Sequence, residues 1–114
     1  MEISVSKVGE DGAVTLVRVS GVVDSETVDE FGEALNRIFD EGGFNVLLDI
    51  EKLSYINTAG LSIIADAFKK ATQNKGALKI LKASDAIREL LDVVRFTKII
   101  ELYEDEEEAV KSFA

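Results

Sequence analysis

Val46-Leu47-Leu48 is the stretch that most restricts how this chain can fold. It lies inside a segment from Phe44 to Ile50 that shows no polar–apolar alternation there. Successive side chains of a strand point to opposite faces of its sheet. A strand that alternates can leave one face in water, but an unbroken apolar run has to be covered on both sides. The segment is therefore predicted to be the centre of a sheet with other layers packed on it.

The rest of the chain supplies those layers. Ile3-Ser4-Val5 alternates as a half-buried strand does. Glu10-Asp11-Gly12 signals a turn, and Val14, Leu16, Val17 and Val19 form a second strand, a hairpin partner of the first, closed by Gly21 and Asp24. Asp24-Ser25 reads as a helix N-cap region with Glu26 and Asp29 in the first turn. Val28, Phe31, Leu35 and Ile38 recur at helical spacing until Gly42-Gly43 stops the helix. A second stripe, Leu61, Ile64, Ala65, Phe68 and Ala71, is opposed by Asp66, Lys69, Lys70 and Gln73 and ends at Asn74-Lys75-Gly76. Leu78 to Leu81 reads as a strand. Ser84 caps a helix carrying Ile87, Leu90, Leu91 and Val94. Ile99 to Leu102 is a short strand or extended edge, and Glu104 to Ala114 a last helix with an acidic start. The order is strand, strand, helix, strand, helix, strand, helix, strand, helix. Alternation after Gly21 requires crossover connections and hence parallel neighbours. The predicted fold is α/β: one small domain over residues 1–114, with an opening antiparallel hairpin, a mixed but mostly parallel sheet, and about four α-helices.

Composition removes whole classes of function. The formal net charge is −9, which opposes binding to a nucleic-acid backbone or an anionic membrane surface and favours a basic patch on a partner. With no cysteine and no histidine, disulfides, thiolate chemistry, the usual zinc sites and a His-dependent triad are excluded. The start of the chain lacks the basic and apolar regions of a signal peptide, and no stretch approaches the ~20 apolar residues of a membrane span. A cytoplasmic protein is expected. Glu104 to Glu108 lacks the spaced ligands and turn of a cation loop and reads as a solvated helix start. Asp24 and Asp49 complete no acid–base constellation, and Gly42-Gly43 is followed by no Gly-Lys-Ser/Thr. Lys69, Lys70 and Lys75 read as a solvated face.

What chemistry remains gathers at Asn57-Thr58-Ala59-Gly60-Leu61, where a buried strand passes into an amphipathic helix. Two readings share this geometry. In one, Asn57 or Thr58 is a helix cap worth ~1 kcal/mol, and Gly60 admits a close neighbour. In the other, the unpaired amides and partial positive charge of the helix start tolerate a phosphate on Thr58, which adds about −1.5 to −2 charge at neutral pH.

Leu47-Leu48-Asp49-Ile50 through Tyr55-Ile56-Asn57-Thr58-Ala59-Gly60-Leu61 resembles the signature of the STAS domain, and in particular of the bacterial anti-sigma-factor antagonists. Gly21-Val22-Val23-Asp24 is similar to a second family segment, and Phe96 to Tyr103 to the closing one. The resemblance implies a non-enzymatic, cofactor-free module that binds an anti-sigma factor, itself a serine/threonine protein kinase, and thereby frees a sigma factor. It implies that the kinase phosphorylates Thr58 and is released, and that a phosphatase restores the hydroxyl. Asp24, Asn57, Thr58, Ala59, Gly60 and Leu61 are the implied partner-binding residues, with Gly60 and Leu61 completing the turn and anchoring the helix. The chain has Asn57 where the family usually has Asp, Thr58 for Ser, and Ala59 and Ser62 for the usual Ser/Thr and Gly. These departures keep a second reading open: a STAS interaction module in a sensory or scaffold assembly without a phosphorylation cycle. A ligand-binding or enzymatic domain of similar shape is a third, opposed by the missing His, Cys and phosphate loop.

Overall fold

A computed structural model describes the whole chain, Met1–Ala114. The elements are β1 (Glu2–Val8), β2 (Val14–Val23), α1 (Val28–Asp40), β3 (Asn45–Asp49), β4 (Leu53–Ile56), α2 (Thr58–Gln73), β5 (Ala77–Leu81), α3 (Asp85–Val93), β6 (Leu102–Tyr103) and α4 (Glu106–Lys111). The six-stranded sheet has the order β1-β2-β3-β5-β6, with β4 pairing β2. The β1–β2 hairpin is antiparallel, and every other pairing is parallel.

Val46, Leu47 and Leu48 are each 0% exposed, as an unalternating run requires. Val46 and Leu48 face a layer built by Phe31 and Leu35 of α1, Ile64 of α2, and Ile87 and Leu91 of α3. Leu47 faces the other way, with Val14, Leu16 and Leu81, beneath Ala109, Val110 and Phe113 at the end of the chain. The final helix thus covers what the first three leave open.

A polar contact ties that cover to the sheet. Lys79 of β5 shares the face of Leu47 and Leu81 and is buried. Its ammonium donates to the Ser112 carbonyl at 3.0 Å and Ser112 Oγ at 2.9 Å, lies 3.3 Å from Glu101, and sits 4.7 Å from the centre of the Phe113 ring. A cation at the carbonyl end of a helix is electrostatically favourable. The hydroxyl of Tyr103 donates to Glu101 at 2.9 Å. That bond, then the one from Lys79, lowers the Glu101 pKa below its ordinary value.

The structure corrects several predicted boundaries. A separate strand, β4, stands between β3 and α2, where the sequence suggested a single buried strand passing into the helix. The long β2 serves both: Thr15–Arg18 pairs with Val46–Asp49, and Gly21–Val23 pairs with β4, with a shift of register between Gly21 and Val22. Helix α1 begins at Val28, with Thr27 at its N-cap and Asp29 and Glu30 in its first turn, because Asp24 to Thr27 is spent on a turn. The stripe of α2 runs through Ala67, buried, in preference to Ala65. Of the expected last strand, Ile99 to Leu102, only Leu102 pairs, and the strand runs on to Tyr103; Phe96–Lys98 just before it folds as a 3₁₀ turn behind Arg95 at φ 66°. Helix α4 is shorter than Glu104–Ala114, starting after its N-cap Asp105. Strand β1 lies at the sheet edge with Val5 50% exposed.

Gly76 follows α2 for a reason of space. Lys75, not the glycine, takes the left-handed conformation at φ 64°. A Cβ on Gly76 would lie 2.0 Å from the Phe44 carbonyl oxygen, a backbone atom with no rotamer to yield. Gly42 differs: its φ is +85°, yet nothing lies within 4 Å of its missing Cβ. Gly76→Ala is expected to destabilise by about 3 kcal/mol or more, and Gly42→Ala by about 1–2 kcal/mol from backbone strain alone. Urea denaturation of the two variants checks the order.

Because Glu101 has its pKa lowered by folding, its contribution to stability is present above the unfolded value and disappears as pH falls through the folded one. Glu101→Gln should flatten the acid side of the stability profile, below the ordinary glutamate range, and leave the slope near neutrality unchanged. Thermal melts at a series of pH values measure this.

Candidate functional site

β2 and β4 run parallel and end side by side. Val23 is paired with Ile56, and the Asn57 N–H donates to the Val23 carbonyl at 2.9 Å. Each strand then leads into a helix, β2 through a turn into α1 and β4 directly into α2. Two helix starts are thereby held next to each other at one end of the sheet. Asp24 and Asn57 are the first residues beyond the two strands.

The Asp24 turn is locked by its own side chains. Asp24 Oδ1 accepts the N–H groups of Glu26 at 2.9 Å and Thr27 at 3.2 Å. The Asp24 N–H donates to Thr27 Oγ1 at 2.9 Å, and that hydroxyl donates to the Val22 carbonyl at 2.8 Å. A half-buried carboxylate with two amide donors has a fixed direction. Asp24 therefore presents a set surface beside α2.

The start of α2 combines both sequence readings. Asn57 is the N-cap: Oδ1 accepts the Gly60 N–H at 2.8 Å, and its carbonyl accepts the Leu61 N–H at 3.0 Å. The amides of Thr58 and Ala59 have no acceptor within the fold and remain open donors. Thr58 and Ala59 are both exposed. No acidic side chain occupies the first turn of α2, although α1, α3 and α4 all have one there. A secondary alcohol thus stands in water at the electropositive end of a sixteen-residue helix.

Gly60 and Leu61, placed by the sequence among the partner-binding residues, are buried. A Cβ on Gly60 would lie 2.6 Å from Ile56 Cγ1 and 2.8 Å from Val23 Cγ1. The helix start rests directly on the two strand ends, and Leu61, 6% exposed, holds it there. Gly60 and Leu61 thus lie beneath the helix start, while Asp24 and Asn57 are half-buried and Thr58 and Ala59 face solvent.

Residues 5–109 match the model of the STAS domain. The anti-sigma-B factor antagonist of Staphylococcus aureus is 30% identical over 91 residues, which cover 80% of this chain and 84% of that one. The chain belongs to the STAS family of anti-sigma factor antagonists. The fold is shared with an anti-sigma factor antagonist from Mycobacterium paratuberculosis, at a TM-score of 0.83, 20% identity, and coverage of 98% of this chain and 94% of that one. It is shared too with the Bacillus cell fate determinant SpoIIAA in its phosphorylated form, at a TM-score of 0.77, 16% identity, and coverage of 99% and 100%. Antagonists of this family are regulators and not enzymes.

Asp49 and four of the five acidic residues from Glu104 to Glu108 have structural partners. Asp49 is 5% exposed, pairs with Arg18 Nε at 3.1 Å, and accepts the Glu51 N–H. Arg18 also meets Glu106 at 2.7 Å, and these two hydrogen bonds raise its already high pKa. The run from Glu104 does not converge on a point: Glu104 pairs with Arg88, Asp105 caps α4, Glu106 meets Arg18, and Glu107 pairs with Lys111. No helix is long and apolar enough to cross a membrane. Thr27 is the residue of the Asp24 turn that the sequence did not single out. Thr27 acts through contacts with Asp24 and Val22, for which the only signal was a hydroxyl just ahead of the helical stripe.

Asn57→Ala should cost about 1 kcal/mol, since it leaves the Gly60 amide without its cap. Asn57→Asp should restore that loss, because a carboxylate at the N-cap also favours the helix dipole. Equilibrium unfolding in urea distinguishes the two.

Proposed function

We propose that the chain is a partner-switching antagonist. It docks on an anti-sigma factor of the serine/threonine kinase type through Asp24, Asn57, Thr58 and Ala59, and that docking frees a sigma factor. The carrying observation is the exposed Thr58 hydroxyl beside the open amides of Thr58 and Ala59. The Staphylococcus aureus relative, an anti-sigma-B factor antagonist, and the phosphorylated form of SpoIIAA support the reading.

In this scheme Thr58 Oγ1 attacks the γ-phosphorus of ATP held by the kinase. The new O–P bond forms as the bond to the β-phosphate oxygen breaks; ADP leaves, and the hydroxyl proton passes to a base on the kinase. The product is a phosphothreonine at the first residue of α2. Its charge of about −1.5 to −2 meets unpaired amides and the positive end of the helix. The fold therefore tolerates the group, while a partner packed on a neutral alcohol meets a hydrated dianion. Asn57, neutral where the family usually has Asp, caps the helix without adding repulsion beside that phosphate. A loss of ~3 kcal/mol in docking is over a hundredfold in affinity. A phosphatase would reverse the state by hydrolysis.

The test is to incubate the purified chain with a candidate anti-sigma kinase and ATP, then map the phosphate by mass spectrometry and measure binding by calorimetry. Phosphate is expected on Thr58. Thr58→Glu should weaken docking by about a hundredfold, and Thr58→Ala should bind in a form that ATP cannot turn off. A kinase that binds both variants and the wild type equally, with Thr58 unmodified, would point instead to an interaction module without a phosphorylation cycle.

A further inference from the structure

A recess lies far from Thr58. It opens between the β1–β2 turn and α4, with a volume of about 760 Å³. Its apolar floor is Val8, Val14, Val110 and Phe113. The turn presses close to the helix here: a Cβ on Gly9 would lie 3.2 Å from Val110 Cγ1. Glu10 and Glu107 stand on the rim, both exposed. Asp105, which caps α4, and Glu106, which is paired with Arg18, add two further carboxylates already engaged within the fold, and Lys111, paired with Glu107 at 3.0 Å, is the one cation of the lining.

Its place in the fold separates it from the Thr58 surface. The floor belongs to the sheet face covered by α4, whereas Val23, Ile56 and Leu61 belong to the face covered by α1, α2 and α3. Val14 begins β2 and Val23 ends it, so at about 3.3 Å per residue the two ends are roughly 30 Å apart. A partner on one surface leaves the other free.

We propose that this groove docks a cationic amphipathic segment of a protein partner, one that sets apolar side chains on the floor and Lys or Arg against the rim. An apolar recess bounded by charge is the arrangement in which a helix or strand lays one face into a groove. The sign of the rim selects the occupant. A second copy of this chain, itself at −9, would bring two acidic rims together. An anionic lipid surface is repelled for the same reason. The inference stands apart from the Thr58 reading and makes the molecule an adaptor with two independent docking faces.

The experiment titrates the full isotope-labelled chain with a synthetic amphipathic Leu/Lys peptide, a scrambled Leu/Lys peptide, and a Leu/Glu peptide of the same pattern. Amide shifts are followed by NMR, and self-association by sedimentation. The amphipathic Leu/Lys peptide should move residues 8–14 and 105–113, and the scrambled and Leu/Glu peptides should bind at least about tenfold more weakly. The double variant Glu10→Lys, Glu107→Lys changes only exposed side chains and should weaken the peptide by a similar factor. Thr58→Glu should leave its affinity within about twofold, which separates this outcome from that of the switch. Equal response to the scrambled peptide, shifts centred on Asp24 and Thr58, dimerisation through the groove, or no binding would each overturn the proposal.

Discussion

The fold depends on covering β3 twice. Leu47 and Leu48 point to opposite sides of one strand and neither meets water, so a layer has to stand on each face. Three helices and their aliphatic stripes supply one layer. The other is a thin cover made by a six-residue helix and the residues after it. Burial alone is modest there, and the Lys79 ammonium at Ser112 and Glu101 joins the cover to the sheet. The molecule is therefore asymmetric, with a deep core under α1, α2 and α3 and a shallow one under α4.

Under the proposed switch, that asymmetry would have a functional consequence. The Thr58 hydroxyl is borne by α2, one of the three helices of the deep layer. Gly60 lies against Ile56 and Val23, Asn57 is tied to the strand end and to Gly60, and Leu61 is inside. A phosphate placed there acts on a surface that cannot easily yield. Its charge is compensated by helix amides already in position, so little of the change is absorbed by rearrangement. What changes is the electrostatics presented to a partner, and a rigid carrier passes that change on in full. The groove beside α4 belongs to the shallow side, where cover and hairpin meet without interdigitating completely.

How far the sequence revealed this depends on the range of the interactions. Val46-Leu47-Leu48 announced a doubly covered strand because the lack of alternation is a local pattern with one physical cause. Thr58 and its capping neighbour were legible because a cap is made within four residues. Ser84 could be recognised for the same reason. β4 was not: Leu53-Ser54-Tyr55-Ile56 buries only its two ends, three residues apart, which is not the alternation of a strand, and its existence depends on β2 being long enough to pair twice. The start of α1 shifted to Val28 because Asp24 spends its carboxylate on two amides of a turn. The Arg18–Asp49–Glu106 and Lys79–Ser112 contacts join residues distant in the chain, as do the two walls of the groove. No window of sequence contains them.

The central claim is that a phosphate at Thr58 alters docking and leaves the carrier intact. The most direct measurement is a pair of amide NMR spectra, with and without phosphothreonine installed at Thr58 by semisynthesis, each recorded alone and with the anti-sigma kinase. The account expects shifts confined to Asp24, the first turn of α2 and their immediate neighbours, a preserved core, and loss of the complex only in the phosphorylated sample. Shifts spreading through Val46 to Leu48 and the helices above them, or a complex that survives the phosphate, would contradict it.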